Sequence, residues 1–151
     1  MPENSRLKVV HLGQAHTKDW ARDARAEMKR NPRYDWRGEV PGWQVRRQFG
    51  RSQAMVISSV MEGGANVVSE ALACSIPVLS SRISGSIGLL GKDYPGYFPV
   101  ENTEALAELM YRAETDRTFY TDLEKHCAQQ ASIVDPEKEK ESWEMLLKEL
   151  W

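Results

Sequence analysis

A strand, a glycine-containing loop, a short helix and a second strand follow one another within residues 54–80, and no other feature constrains the fold as strongly. The two apolar runs are residues 54–58 and 76–80, and a helix is predicted between them from about Asn66 to Cys74. A helical crossover of this kind joins parallel strands, and it is right-handed in nearly all proteins. The sequence therefore predicts a β-α-β unit in the middle of the chain.

The remainder of the chain continues this alternation. Further strands are predicted at 7–12, 34–38 and 96–100, helices at 17–30, 41–49, 102–112, 116–131 and 136–151, and a glycine-rich loop at 84–91. Pro99 cannot donate to a ladder, so the strand that contains it belongs at a sheet edge. We predict an α/β fold: a Rossmann-like, doubly wound parallel sheet of about five strands, with helices on both faces and a helical carboxyl-terminal tail.

Length and composition predict a single domain, residues 1–151. The chain is 41% hydrophobic and 28% charged, which is typical of globular proteins and argues against disorder. The net charge of −2 gives no electrostatic reason to expect a nucleic acid as partner. The basic residues Arg46, Arg47 and Arg51 alternate with glutamines and are interpreted as the exposed face of a helix.

The two cysteines and the lengths of the apolar runs indicate the cellular compartment in which the protein is expected. Cys74 and Cys127 lack metal-ligand spacing, and Cys74 is predicted to be a small core residue at the end of an apolar helix. The sequence has neither a secretory leader nor an apolar run of about 18 residues, so no transmembrane segment is expected. These features favour the cytoplasm.

Two carboxylates flank the glycine pair of the central loop. Glu62 follows the first strand and Glu70 lies within the predicted helix, while Gly63 and Gly64 leave room for a phosphate to approach the amino end of that helix. Carboxylates accept hydrogen bonds from hydroxyl groups and repel phosphate. A nucleotide-sugar, which has hydroxyl groups on both sides of a diphosphate, fits this pattern. Two unrelated surface charges on an ordinary α/β unit fit it equally well.

The same stretch resembles the donor-binding motif of GT-B glycosyltransferases of the family-4 type, E-G-x-x-x-x-x-x-E-A-x-A-C-G-x-P-V. Glu62 and Gly63 match its opening, residues 70–78 match its close, and residues 37–40 match the preceding f-x-G-x-V strand. The resemblance covers roughly residues 7–100. Residues 62–70 and 88–100 are also similar to the glycosyltransferases that include selenosugar synthase, which suggests a subfamily.

The resemblance implies the carboxyl-terminal, donor-binding domain of an enzyme that transfers a sugar with retention of anomeric configuration. Glu62 would be the catalytic-site carboxylate that holds the hydroxyls of the donor sugar. The diphosphate and sugar would lie near the backbone of the next four residues, which are Gly63, Gly64, Ala65 and Asn66.

For the rest of the donor, the resemblance implies that Glu70 binds the ribose hydroxyls and that backbone near Val40 meets the base. No metal and no cofactor are implied, and the expected donor is a UDP-sugar. The family's cationic G-R…K-G loop has no counterpart here, so Arg82, just past a strand, is the predicted substitute, with His16 and Lys18 as further candidates.

Two smaller departures from the motif concern backbone geometry. Ser75 replaces the usual glycine at the helix end, where a left-handed residue other than glycine costs on the order of 1 kcal/mol. Ala65 stands where the common E-G-F-G form has glycine, which affects how closely a diphosphate can approach.

The partner expected from the resemblance is an amino-terminal GT-B domain, or a separate chain, that supplies the acceptor site. Without it the chain is expected to be inactive. The last helix carries an apolar stripe, which is interpreted as core packing or, if it is exposed, as a surface for self-association; its residues are Trp143, Leu146, Leu147 and Leu150.

Other functions remain as alternatives. A non-catalytic module of the same fold, binding a nucleotide or a protein, is favoured by the loss of the cationic loop. A dinucleotide-dependent oxidoreductase lacks support because no further glycine of the G-x-G-x-x-G fingerprint follows Gly13. A receiver-type signalling domain would need an acidic cluster after the first strand, and the sequence has none there.

Overall fold

The computed structural model describes residues 1–62 and 65–150, and this part of the chain contains five strands and seven α-helices. The predictions for Gly63, Gly64 and Trp151 lie outside the described residues. The chain divides into two units, Pro2–Gln48 and Phe49–Trp151 with Met1, and each is described by itself. That residues 1–151 form one domain stays a prediction.

The amino-terminal unit is built on two short parallel strands. β1 (Val9–His11) pairs with β2 (Tyr34–Trp36), and α1 (Lys18–Arg30) joins them. Thr17 caps α1, since its Oγ1 accepts a hydrogen bond of 3.2 Å from the backbone N–H of Trp20. The chain then enters α2 (Gly42–Phe49).

The helical spacing of Trp20, Ala21, Ala24 and Met28 predicts an apolar face on α1, and this face is not buried. None of its residues is buried, and Trp20 is 59% exposed, in edge-to-face contact with His16. Arg46, Arg47 and Arg51 are exposed, as predicted.

The carboxyl-terminal unit contains a three-stranded parallel sheet. Its strands are β3 (Met55–Ile57), β4 (Val78–Ser81) and β5 (Tyr97–Phe98), in the order β3-β4-β5, so the edge position predicted for the Pro99 strand is confirmed. α3 (Asn66–Ala73) crosses from β3 to β4. All four residues of β4 are buried, so both faces of this central strand are covered.

Helices complete the carboxyl-terminal unit. They are α5 (Thr103–Thr115), α6 (Arg117–Gln130), a 3-10 turn (Ala131–Val134) and α7 (Pro136–Leu150), while α4 (Ser84–Leu90) lies between β4 and β5. Asn102 and Asp116 cap α5 and α6 through side-chain oxygens. The sequence predicts one apolar face on α6 formed by Phe119, Tyr120, Leu123 and Cys127. Phe119, Leu123 and Cys127 are buried and Tyr120 is half-buried.

The α/β class with parallel strands is confirmed, but the hydrogen-bonding pattern differs from the prediction of one sheet. Among the described residues the five strands form a sheet of two and a sheet of three. Apolar periodicity identifies strands, whereas the pairing between strands depends on contacts that are distant in sequence.

The prediction of a loop at residues 84–91 is wrong, because most of this segment is helix α4. Ile83 and Leu90 are buried and Ile87 is half-buried, and these three recur at helical spacing. Their packing outweighs the low helix propensity of the intervening serines and glycines. Gly91, with φ of 84°, ends the helix.

The end of α3 is a Schellman motif with a strained residue. Ser75 has φ of 56°, which confirms the left-handed conformation considered from the sequence. Its N–H donates to Leu72 O at 2.9 Å, and the N–H of Ile76 donates to Ala71 O at 2.9 Å. The core position predicted for Cys74 is wrong: Cys74 is exposed, because Ala71 and Leu72 take the buried face of α3.

Replacing Ser75 by glycine should raise the free energy of unfolding by about 0.5 to 1 kcal/mol, because glycine adopts positive φ without strain. Thermal unfolding should show a midpoint higher by about 1 to 4 °C. Ser142→Gly, inside helix α7, is the control and should lower stability instead. A Ser75→Gly protein no more stable than the parent would contradict the assigned strain.

Candidate functional site

The loop that leaves β3 holds the first of the two predicted carboxylates. Glu62 is half-buried, and its Oε1 accepts a hydrogen bond of 2.7 Å from the hydroxyl of Ser59. The neighbouring side chains Val60 and Met61 are 62% and 85% exposed. The loop therefore directs two apolar side chains outward and anchors the carboxylate through a neighbouring hydroxyl.

Helix α3 begins after the glycine pair. Asparagine is a favoured capping residue, so the sequence predicts that Asn66 caps α3. The structure corrects this: Ala65, whose side chain cannot cap, precedes the helix, and Asn66 is its first residue. Asn66 and Glu70 are both exposed and lie four residues apart, so they share one face of α3, as predicted.

An open groove of about 530 Å³ runs between α3 and α4. The lining includes two predicted site residues and residues of α4; its members are Ala65, Asn66, Ser69, Ser84, Gly85, Gly88 and Leu89. Gly85 and Gly88 contribute no side chain to the α4 wall, whereas Ser84 and Leu89 do. The groove therefore joins the amino ends of two helices, where backbone N–H groups favour anionic ligands.

Gly85 allows the Glu62 loop to lie against α4. A Cβ atom at Gly85 would come within 2.8 Å of the backbone oxygen of Glu62, which is closer than real Cβ atoms approach oxygen. Any larger residue at position 85 would displace the backbone that carries the Glu62 carboxylate. Gly85 thus belongs to the site through packing, and the sequence analysis did not identify it.

Arg82 follows β4 and is exposed, and it contacts Lys92, which lies between α4 and β5, and Tyr97, the first residue of β5. Its Nη1 donates to Lys92 O at 2.9 Å, and its guanidinium lies 5.3 Å from the ring centre of Tyr97. Burial raises the pKa of Tyr97 to about 12, so at neutral pH this contact is a cation–π interaction and not an ion pair. A diphosphate contact for Arg82 stays a prediction.

Val40, predicted to lie near the base, belongs to the amino-terminal unit. It is half-buried and lies in the connection from β2 to α2. In the same connection, the carbonyl of Gly38 accepts a hydrogen bond of 2.8 Å from the N–H of Gly13. The predicted roles of Val40, His16 and Lys18 stay predictions.

The described part of the chain lacks both a metal-binding cluster and a membrane-spanning helix. Within 1–62 and 65–150, the structure contains no group of three or more His, Cys, Asp or Glu side chains placed to hold a metal ion. No helix in these ranges has the length and apolar character needed to cross a membrane.

The comparison with known protein families decides the class of the chain. The family described as "Glycosyl transferases group 1" matches residues 1–133, a stretch that includes β3, both glutamates and the groove. The chain belongs to the group 1 glycosyl transferases. The family resemblance carried by the glutamate motif is thereby confirmed, while the selenosugar subfamily stays a prediction.

Individual proteins agree with this membership. The chain is 35% identical over 82 residues to the "Putative teichuronic acid biosynthesis glycosyltransferase TuaC" of Bacillus subtilis (strain 168), an alignment covering 54% of this chain and 21% of that protein. The sucrose-phosphate synthase of Thermosynechococcus elongatus matches 95% of this chain with a TM-score of 0.77 and 18% identity, over 38% of its own length.

A third relative is known with a nucleotide. Anabaena HepE, solved in complex with UDP, matches 95% of this chain and 41% of its own, with a TM-score of 0.79 and 16% identity; the same protein is known with UDP-glucose. These structures show that this group 1 chain has the Rossmann-like fold of GT-B glycosyltransferases. The chain spans less than half the length of these relatives.

Proposed function

We propose that this chain binds the nucleotide-sugar donor, a UDP-sugar, for a retaining glycosyl transfer. The match to the group 1 glycosyl transferases over residues 1–133 carries the proposal, because it includes the complete glutamate motif. Binding of UDP and UDP-glucose by Anabaena HepE, a protein of the same fold, supports the choice of donor. No metal and no separate cofactor enter the proposal.

Each part of the donor is assigned to one part of the site. The Glu62 carboxylate accepts hydrogen bonds from the sugar hydroxyls, and the backbone of Gly63, Gly64, Ala65 and Asn66 lies along the diphosphate. The groove supports this assignment because Ala65 and Asn66 line it. An anionic diphosphate suits the N–H groups at the start of α3.

The nucleoside completes the assignment. Glu70 takes the ribose hydroxyls, since it shares the exposed face of α3 with Asn66, and backbone near Val40 takes the base. Arg82 is the proposed cation for the leaving diphosphate; only one of its five N–H donors is used in the bond to Lys92 O. The missing cationic loop remains the one feature in favour of a non-catalytic module, and the family match over residues 1–133 supports the donor-binding function instead.

Binding measurements on two variants test the proposal. UDP-glucose, UDP-N-acetylglucosamine, GDP-mannose and UDP are titrated into the chain by calorimetry. Glu62→Ala should weaken UDP-sugar binding by about 10- to 100-fold and leave UDP unchanged, because Glu62 contacts only the sugar. Glu70→Ala should weaken UDP and UDP-sugar by the same factor, because both ligands contain the ribose.

Glu108→Ala is the matched control, since it removes an exposed glutamate from α5. It should change neither affinity. The proposal would be overturned if none of these nucleotides showed saturable binding. It would also be overturned if all three variants lost UDP affinity equally.

The acceptor is proposed to bind on a second domain or a partner chain. The chain spans only 38% of the sucrose-phosphate synthase structure that it matches, and 41% of HepE. Steady transfer of sugar to an acceptor by the purified 151-residue chain would contradict this proposal.

A cytoplasmic location is also proposed for the chain, and the two free cysteines are consistent with a reducing compartment.

Self-association through α7 is a second proposal, and the exposure of its apolar stripe favours it. Trp143, Leu146 and Leu147 are 58%, 45% and 52% exposed, which contradicts the interpretation of this stripe as core packing. The residues recur at helical spacing on one face, next to an open groove against the 3-10 turn. An exposed stripe of this kind is typical of a surface that a partner covers.

Sedimentation velocity tests this second proposal. The sedimentation coefficient should rise with concentration between about 1 and 100 μM, a range suited to a small interface. Leu147→Gln should abolish the rise, whereas Lys148→Gln, the same substitution beside the stripe, should preserve it. A parent chain that sediments as a monomer at every concentration would contradict self-association.

A further inference from the structure

Two hydrogen bonds in series connect the buried strand β4 to the carboxylate of Glu62. The hydroxyl of Ser81 donates to Ser59 O at 2.6 Å, and the hydroxyl of Ser59 donates to Glu62 Oε1 at 2.7 Å. Ser81 and Ser59 are 22 residues apart in sequence, so only the parallel pairing of β3 and β4 brings them together. The Glu62 side chain is thereby linked to the centre of the sheet.

The buried end of this series is enclosed by further contacts of the carboxyl-terminal unit. Ser81 has no solvent exposure, and the adjacent Ser80 hydroxyl lies 2.7 Å from the hydroxyl of Ser86. Gly85 presses against the backbone of Glu62 from the side of α4, where even a Cβ atom would not fit. The Glu62 loop is therefore held from two sides by ordered parts of the carboxyl-terminal unit.

The other residues of the loop show that Ser59 is distinct. Ser58, Val60 and Met61 are exposed, whereas Ser59 is half-buried and turned towards Glu62. A carboxylate only accepts hydrogen bonds, so a fixed donor on Oε1 sets the orientation of the group. A carboxylate whose orientation is fixed in this way before a ligand arrives loses less conformational entropy on binding.

We propose that Ser59 is a positioning residue for donor-sugar binding, acting through Glu62 and held in place by Ser81. This inference rests on the proposed function, because it assumes that Glu62 receives the sugar. It assigns to Ser59 the orientation of the carboxylate and to Ser81 the orientation of the Ser59 backbone. The UDP part of the donor lies outside this series and should be unaffected by it.

Calorimetry with UDP-glucose and UDP separates positioning from general support of the fold. Ser59→Ala should weaken UDP-glucose binding about tenfold and change UDP binding less than about twofold, because only the sugar depends on Glu62. Ser59→Thr keeps the hydroxyl and should restore affinity to within about threefold of the parent. Ser58→Ala, the exposed neighbour, is the control and should change neither affinity.

A double-mutant cycle tests whether Ser59 acts through Glu62. Adding Ser59→Ala to Glu62→Ala should cause no further loss of UDP-glucose affinity, since the carboxylate that Ser59 orients is absent. If the two substitutions instead reduced the UDP-glucose affinity by independent factors that multiply in the double variant, the proposal would be overturned. Equal weakening of UDP and UDP-glucose by Ser59→Ala would also overturn it, because that result indicates a distorted fold.

A spectroscopic measurement keeps this inference separate from the proposed function. The Cδ resonance of Glu62 in carbon-13 NMR should shift in Ser59→Ala, return towards its parent position in Ser59→Thr and stay unchanged in Ser58→Ala. This readout needs no nucleotide, so it tests the contact even if the chain binds no donor and the proposed function fails. An unchanged resonance in Ser59→Ala would overturn the positioning role.

Discussion

Replacing Gly96 by alanine is expected to lower the free energy of unfolding by about 3 kcal/mol, through overpacking of the carboxyl-terminal unit. Gly96 is buried where β5 begins, and an added Cβ would lie 2.5 Å from Val78 O, 2.5 Å from Tyr94 Cε1 and 2.9 Å from Leu123 Cδ2. The first of these atoms belongs to the backbone of the central strand, so it cannot rotate away. The added methyl group therefore separates β4 from β5 or displaces Tyr94.

Thermal unfolding followed by circular dichroism measures this effect, with an expected fall of about 6 to 12 °C in the midpoint. Gly88→Ala is the matched control, because a Cβ there meets no atom within 4 Å and position 88 lies inside α4. It should be neutral or stabilising, since alanine favours helix over glycine. Equal midpoints for the parent and Gly96→Ala would contradict the packing around β5.

Tyr94→Phe is the second substitution with a large expected effect. The Tyr94 hydroxyl accepts a hydrogen bond of 3.2 Å from Val78 N–H and donates one of 2.6 Å to Val78 O. The backbone N–H and C=O of Val78 point away from β3. In a parallel pair these groups alternate in direction, and it is the preceding carbonyl, Pro77 O, that accepts the hydrogen bond of 2.8 Å from Met55 of β3. Tyr94 therefore bonds the backbone of Val78 just before β5 begins.

The loss of this hydroxyl leaves a buried donor and a buried acceptor without partners, at a cost of about 2 to 4 kcal/mol. Burial is the main cause of the raised pKa of Tyr94, so the hydroxyl keeps its proton and remains a donor throughout the neutral range. Urea denaturation should show a lower midpoint with an unchanged slope, because the folded surface is the same.

Tyr120→Phe provides the control for the chemical change itself. Its hydroxyl donates to Gln53 O at 2.7 Å but is exposed, so water replaces the lost bond and stability should change by less than about 1 kcal/mol. If Tyr94→Phe is as stable as Tyr120→Phe, the Tyr94 hydroxyl does not hold the backbone of β4.

Helix boundaries were the most predictable part of the fold. Thr17, Asn102 and Asp116 each cap the helix whose start the sequence indicated, because capping needs only a side-chain oxygen and backbone N–H groups within the next turn. Helix α4 was missed because its serines and glycines disfavour helix, and only the packing of Ile83 and Leu90 stabilises it. Burial was also misjudged at Trp20 and Cys74, since periodicity does not show which apolar residues the rest of the fold covers.

In the candidate site, too, the features that depend on nearby residues could be predicted, whereas those that depend on contacts distant in sequence could not. The placement of Glu62 just before the helix and of Glu70 beside Asn66 follows from their spacing along one loop and one helix. Ser81 contacts the Glu62 loop from the last position of the next strand and Gly85 from the helix after it, and no local pattern marks either residue.

The alternation of strands and helices and the motif that identifies the family follow from local sequence, because each depends on residues close together in the chain. The tertiary structure alone decided the division of the strands into two sheets and the exposure of the α7 stripe. It also decided the link from Ser81 through Ser59 to Glu62. These features depend on atoms that only folding brings within hydrogen-bonding or packing distance.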